Sequence, residues 1–205
     1  MVPLYPIDDH KLDWQSAAGI GRRYELIASR GVIAELEFSR RPTKEATGRT
    51  MIHNWRIKPI GVMGTRFEIR RGDEVQVFTT IHLNMSRTNG VLPLPGTSLK
   101  LSFGATNMFG TDWQWVDENG WGMIGLRQKG LSRLGAEVHL ADHAAQHPLT
   151  PLLLVTGFYL VYLNFERQLA QIALESNVQL ENLARSLSAQ RRKSRKQFSS
   201  ELAAK

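Results

Sequence analysis

Apolar and polar residues alternate along most of the first 140 residues of the chain. Phe67 and Ile69, for example, alternate with Glu68 and Arg70. A period of two is typical of strands that have one buried side and one side in water. Roughly ten such runs follow one another after Tyr24, and a sheet of that size would leave open edges unless it closed. The pattern predicts a mainly β fold, an antiparallel closed β-barrel.

Turn residues separate the predicted strands at regular intervals. Arg30-Gly31, Gly72-Asp73 and Asn119-Gly120 each stand between two apolar runs. Glycine and asparagine accept the positive backbone dihedral that tight hairpin turns require. These three positions therefore predict hairpins, and the proline-rich stretch VLPLPG at 91–96 predicts a connecting loop.

A short uncharged segment, LTPLLLVTGFYLVYL at 149–163, follows the strands. Apolar side chains would cover every face of a helix here, so the segment needs apolar surroundings. Spanning a bilayer usually takes about 20 apolar residues, which is more than this segment offers. We therefore predict a helix enclosed by the barrel at about 149–163. The alternative is a membrane-anchored protein with residues 149–163 inserted in the bilayer.

The C-terminal segment, 166–205, has the pattern of a long exposed amphipathic helix. Apolar residues recur every three or four positions and form a narrow stripe, as in coiled coils. This stripe predicts a surface for partner docking or self-association, and packing against the chain's own barrel is the alternative. The predicted contact residues are Leu169, Ile172, Leu180, Leu183 and Leu187.

A cluster of cations lies near the end of that helix and accounts for much of the net charge of +7. Each cation close to an anionic membrane contributes about 1 kcal/mol to binding. The cluster predicts contact with an anionic phospholipid surface, while nucleic acid is disfavoured because no recognition module is present. Its residues are Arg191, Arg192, Lys193, Arg195 and Lys196.

Residues able to carry catalysis are sparse. His139, His143 and His147 would line one face if they were helical, as metal ligands can. Since residues 138–140 are expected to end a strand, loop histidines that bind no metal are the favoured interpretation. Carboxylate pairs such as Asp117-Glu118 fall in turns, and no phosphate-binding loop, zinc motif or nucleophile elbow is present. We predict no catalytic, cofactor or metal site.

Cysteine content and the N-terminal sequence bear on the compartment in which the protein works. The chain contains no cysteine, which fits a reducing compartment such as the cytoplasm, and its N-terminus lacks the pattern of a secretory signal. The expected organisation is an N-terminal arm at 1–20, a barrel with its central helix at 21–165, and the amphipathic helix with its basic tail at 166–205. A cytoplasmic protein, peripheral at a membrane at most, is expected.

Three segments carry a resemblance to a known fold. They are YELIASRGVIAELEF near the start, the strand-turn-strand TDWQWVDENGWGMIGL, and HPLTPLLLVTGFYLVYL at the end. Their order and character resemble the tubby-like C-terminal fold, shared with LURP-one-related proteins and phospholipid scramblases. The resemblance implies a twelve-stranded barrel around a hydrophobic helix and a non-enzymatic binding function. Tubby proteins bind phosphoinositides through basic residues, but no matching constellation is found here, so no lipid site is transferred.

Overall fold

The computed structural model describes residues 12–17, 22–39, 44–61, 63–130 and 134–203, with side chains described as far as residue 181. Twelve strands precede two helices. The strands are β1 Leu12–Ser16, β2 Arg23–Ala28, β3 Gly31–Phe38, β4 Ala46–Thr50, β5 Asn54–Ile60, β6 Arg66–Arg71, β7 Thr79–Leu83, β8 Asn89–Pro93, β9 Lys100–Ala105, β10 Asp112–Val116, β11 Gly122–Lys129 and β12 Gly135–Leu140. The helices are α1 Asp142–Ala145 and α2 Thr150–Ala203.

Each strand pairs antiparallel with its neighbours in sequence, and β1 pairs with β12 to close the barrel. The predicted fold class is confirmed. Two details differ from the sequence analysis. Strand β1 lies within the segment assigned to an N-terminal arm, where Leu12 and Trp14 face inward and are buried. Residues 91–93 of the predicted loop belong to β8, in which Pro93 is the last residue.

The predicted hairpin turns are present. Gly31, Gly72 and Gly120 have φ values of 122°, 54° and 82°. L-residues with a side chain rarely adopt this region, which explains why glycine stands at each turn.

The connections between strands alternate between the two ends of the barrel. One end holds α1 and the connections β2–β3, β4–β5, β6–β7, β8–β9 and β10–β11. We call it the entry end, because α2 begins there. The other, the exit end, holds the connections β1–β2, β3–β4, β5–β6, β7–β8, β9–β10 and β11–β12. Asn164 marks it, since the Asn164 side-chain amide donates to the carbonyl of Gly110 in the β9–β10 connection at 3.4 Å.

The first part of α2 fills the barrel. Every side chain from Thr150 to Val161 is buried. Phe158 stacks on Trp14 of β1 with ring centroids 4.5 Å apart, and the Tyr159 hydroxyl donates to the carbonyl of Lys44 at 2.9 Å. The uncharged segment thus finds its apolar surroundings inside the sheet, as the sequence predicts.

Two glycines allow the strands and the helix to come close. A Cβ on Gly48 of β4 would lie 2.1 Å from the Cγ1 of Val155, and one on Gly157 of the helix would lie 2.7 Å from the indole nitrogen of Trp115. That indole N–H donates to the carbonyl of Leu153 at 3.0 Å. Close contact between strand and helix therefore depends on the missing side chains at these two positions.

The chain divides into two compact units, Met1–Asn164 and Phe165–Lys205. The first contains the barrel and α2 as far as Asn164. The second is the continuation of α2, in which every side chain from Leu169 to Glu181 is exposed.

Candidate interaction surfaces

The three histidines do not form a metal site. His139 is exposed on β12, with its Nε2 3.9 Å from a carboxylate oxygen of Glu137, while His143 lies on α1 and His147 in the turn after it. Among the residues described here, no group of three or more histidine, cysteine, aspartate or glutamate side chains is close enough together to hold a metal ion.

His147 instead supports the turn that leads into the central helix. Its Nδ1 accepts the backbone N–H of Leu149 at 3.3 Å. Burial lowers the pKa of His147 below its ordinary value, the nearby His143 lowers this pKa further, and Glu118 opposes the shift. The neutral imidazole is the form that can accept this bond, so His147 is structural here.

Asp117, one of the paired carboxylates, also has a structural role. Its Oδ1 accepts the backbone N–H groups of Asn119 at 2.9 Å and of Trp121 at 2.8 Å, which fixes the β10–β11 turn. A further carboxylate pair in the sequence, Asp8-Asp9, lies outside the described residues. The turn interpretation of Asp117 is therefore confirmed.

Four of the five tryptophans belong to the core, including Trp14 of β1, and one does not. Trp55, Trp113 and Trp115 are buried and face inward, whereas Trp121 in the β10–β11 turn is exposed. Trp113 and Trp115 share one face of β10 by strand parity, and this face looks inward, since the indole N–H of Trp115 donates to the backbone carbonyl of Leu153.

A cationic contact at the entry end was missed in the sequence. Arg71 has the same strand parity as the buried Phe67 and Ile69, and its guanidinium carbon lies 5.6 Å from the ring centre of Trp55 and 5.0 Å from that of Phe78. Such cation–π contacts contribute about 0.5–2 kcal/mol. Its parity with the apolar residues of β6 was the available signal.

The predicted partner-binding residues are exposed as far as the structure describes them. Leu169, Ile172 and Leu180 have 42%, 52% and 63% of their surface exposed. Leu183, Leu187 and the five basic residues from Arg191 to Lys196 lie in helical backbone whose side chains are outside the description. The structure adds one feature, since Leu174 and Val178 are also exposed and fall on the opposite face of the helix.

The membrane-anchor alternative concerns residues that are packed inside the barrel, where Phe158 and Tyr159 contact strand side chains. In the part of the chain described here, no helical stretch combines the length and the hydropathy that crossing a bilayer requires.

Comparison with protein-family models, with curated proteins and with solved structures finds no match to the chain.

Proposed function

We propose that the protein is a non-enzymatic, tubby-like binding module of the cytoplasm that works at an anionic membrane surface. The barrel is the folded scaffold, the C-terminal part of α2 docks a helical partner or a second copy of the chain, and the basic tail contacts phospholipid headgroups. This proposal combines the resemblance in the sequence with the character of the exposed surfaces.

One observation carries the docking role: apolar side chains are exposed along the second unit. Leu169, Ile172 and Leu180 lie within one narrow face. An isolated helix obtains little stability from propensity alone, and most helical stability in proteins comes from packing an apolar face. A partner helix that covers this face supplies that packing, and a second copy carries the same stripe.

The docking role is tested by replacing the stripe in the full-length chain. The variant Leu169→Gln/Ile172→Gln/Leu180→Gln keeps good helix formers and removes the apolar side chains. Sedimentation velocity is expected to show the wild type at a multiple of 23.2 kDa and this variant at the monomer mass of 23.2 kDa.

The opposite face provides the control. Leu174→Gln/Val178→Gln removes two exposed apolar residues outside the stripe and is expected to leave the assembly unchanged. A wild type that stays monomeric throughout the accessible concentration range would contradict self-association. Equal loss of assembly in both variants would contradict the stripe.

The membrane role is tested on the tail. Replacing Arg191, Arg192, Lys193, Arg195 and Lys196 by glutamine removes five cations. At about 1 kcal/mol each, their loss should abolish most of the salt-sensitive binding to vesicles that contain phosphatidylserine. Unchanged co-sedimentation would remove the tail from the mechanism.

A further inference from the structure

Three successive connections at the exit end each present exposed apolar side chains. Met63 lies in β5–β6, Met85 in β7–β8, and Met108 and Phe109 in β9–β10, with 58%, 69%, 90% and 75% of their surface exposed. We call these four residues the exit rim. Large apolar side chains that stand together on loop tips are typical of interaction sites.

Hydrogen bonds hold the loops of the exit rim next to one another. The guanidinium of Arg87 donates to the carbonyl of Met63, which joins the β7–β8 connection to β5–β6. The backbone N–H of Ala105 donates to the carbonyl of Thr88 at 3.1 Å. This bond joins the β7–β8 connection to the end of β9. The rim is therefore one edge of the barrel.

The loop that carries Met108 and Phe109 is braced from within. The side-chain oxygen of Asn107 accepts the N–H of Thr111 at 3.0 Å. The carbonyl of Gly110 accepts both the indole N–H of Trp113 at 2.9 Å and the amide of Asn164 at 3.4 Å. An internally satisfied loop holds its two apolar side chains outward at little further entropic cost on binding.

Charge distinguishes the two ends of the barrel. Among the described residues, the exit-end connections carry the cations Arg22, Lys44 and Arg87 and one carboxylate, Glu45. The entry-end connections carry one cation, Arg30, against a larger set of carboxylates. These are Asp73, Glu74, Asp117, Glu118 and Asp142. An anionic surface would attract the exit end and repel the entry end.

From these observations we infer that the exit rim is a second membrane contact, in which the barrel inserts Met63, Met85, Met108 and Phe109 into the interface of an anionic bilayer. Basic neighbours favour headgroups, and apolar tips gain from partial burial among acyl chains. Protruding tips suit a deformable lipid interface, whereas a protein partner would need a matching concave surface. The inference builds on the proposed membrane role and adds a surface that acts independently of the tail.

A paired substitution tests the rim in the full-length chain. Met108→Ser/Phe109→Ser removes the most exposed apolar pair. It is expected to weaken binding to vesicles of phosphatidylcholine with phosphatidylserine at least about tenfold. The matched control is Met51→Ser/Val75→Ser, which removes side chains with 72% and 85% exposure at the entry end and should leave binding unchanged. Near-UV circular dichroism confirms that both variants are folded.

Insertion can be observed directly because the chain has no cysteine. A Met108→Cys variant labelled with an environment-sensitive fluorophore should shift its emission to the blue with these vesicles, and a labelled Met51→Cys variant should not. No shift at position 108, or wild-type affinity of the Met108→Ser/Phe109→Ser variant, overturns the inference and leaves the rim to a protein partner.

The same vesicles separate this inference from the proposed role of the tail. If the tail variant loses binding and the rim variant keeps it, the tail proposal stands and the rim inference fails. If the rim variant loses binding and the tail variant keeps it, the rim stands and the tail contact fails. A wild type that binds no vesicle overturns both.

Discussion

Gly48 shows how single residues adjust the contact between sheet and helix. Its missing side chain makes room for Val155, whose Cγ1 would lie 2.1 Å from an added Cβ. Because the interior is close-packed, even one methyl group must displace something. The position thus sets how near β4 can approach α2.

The first prediction tests this contact. Gly48→Ala should lower the free energy of unfolding by about 1–3 kcal/mol, the usual cost of overpacking. Val155→Ala should also destabilise, because it leaves a cavity. The double variant should be more stable than the sum of the two single effects implies, since the new methyl fills that cavity. Urea unfolding measures all three.

Gly125 provides the control for glycine replacement in a strand. A Cβ there would lie 3.8 Å from the Cβ of His139, an ordinary van der Waals contact. Gly125→Ala should therefore be close to neutral. Additive effects of Gly48→Ala and Val155→Ala would contradict the proposed fit between the two residues.

At the scale of elements, the turn that leads into α2 gives a prediction about pH. The pKa of His147 is lowered in the folded protein, chiefly by burial. The unfolded chain, with an ordinary histidine pKa of about 6.5, then binds the proton more tightly than the folded one does. This contribution to stability is present above about pH 6.5 and is lost as the pH falls through the folded pKa.

The expected result is a wild type whose unfolding free energy falls between pH 7 and pH 5 more steeply than that of His147→Gln. Glutamine stays neutral and offers an acceptor for the N–H of Leu149. His139→Gln, at an exposed position on β12, makes the same replacement away from this turn and is the matched control. Equal slopes in wild type and His147→Gln would show that this proton does not couple to folding.

Elements differ in how well the sequence predicts them. Strands such as β6 and β9 alternate clearly, and the uncharged segment predicts the buried helix because no charge interrupts it. Strand β1 was missed because five residues with two buried positions give a weak signal, and its pairing with β12 lies far away in sequence. Long-range closure is set by the whole barrel and by no local pattern.

The candidate surfaces were predictable to different degrees. The stripe containing Leu169 and Ile172 follows from helical spacing alone. The exit rim does not, because Met63, Met85 and Met108 are far apart in sequence and come together only through the alternation of hairpins around the barrel. Arg71 differs from the rim, because its parity with Phe67 and Ile69 on β6 could have indicated from the sequence that it faces inward.

For the whole molecule, the central question is which part of α2 the barrel requires. Trp14, Trp115 and Phe67 face inward and contact the segment around Leu153–Tyr159. Without that segment, a twelve-stranded barrel would enclose apolar side chains with nothing between them, and voids of that size are strongly destabilising. The boundary between the two compact units falls after Asn164.

Two truncations therefore have opposite expected outcomes. Deleting 166–205 should preserve a cooperative urea transition and the near-UV signal of the buried tryptophans. Deleting 150–205 should abolish both, because the barrel loses its core. Both deletions shorten the chain, but only the second removes the helix segment whose Leu153 carbonyl accepts the indole N–H of Trp115. The first deletion therefore controls for the loss of chain length. A cooperative transition after the longer deletion would mean that the sheet closes on its own side chains, and the helix could then no longer be regarded as the core of the barrel.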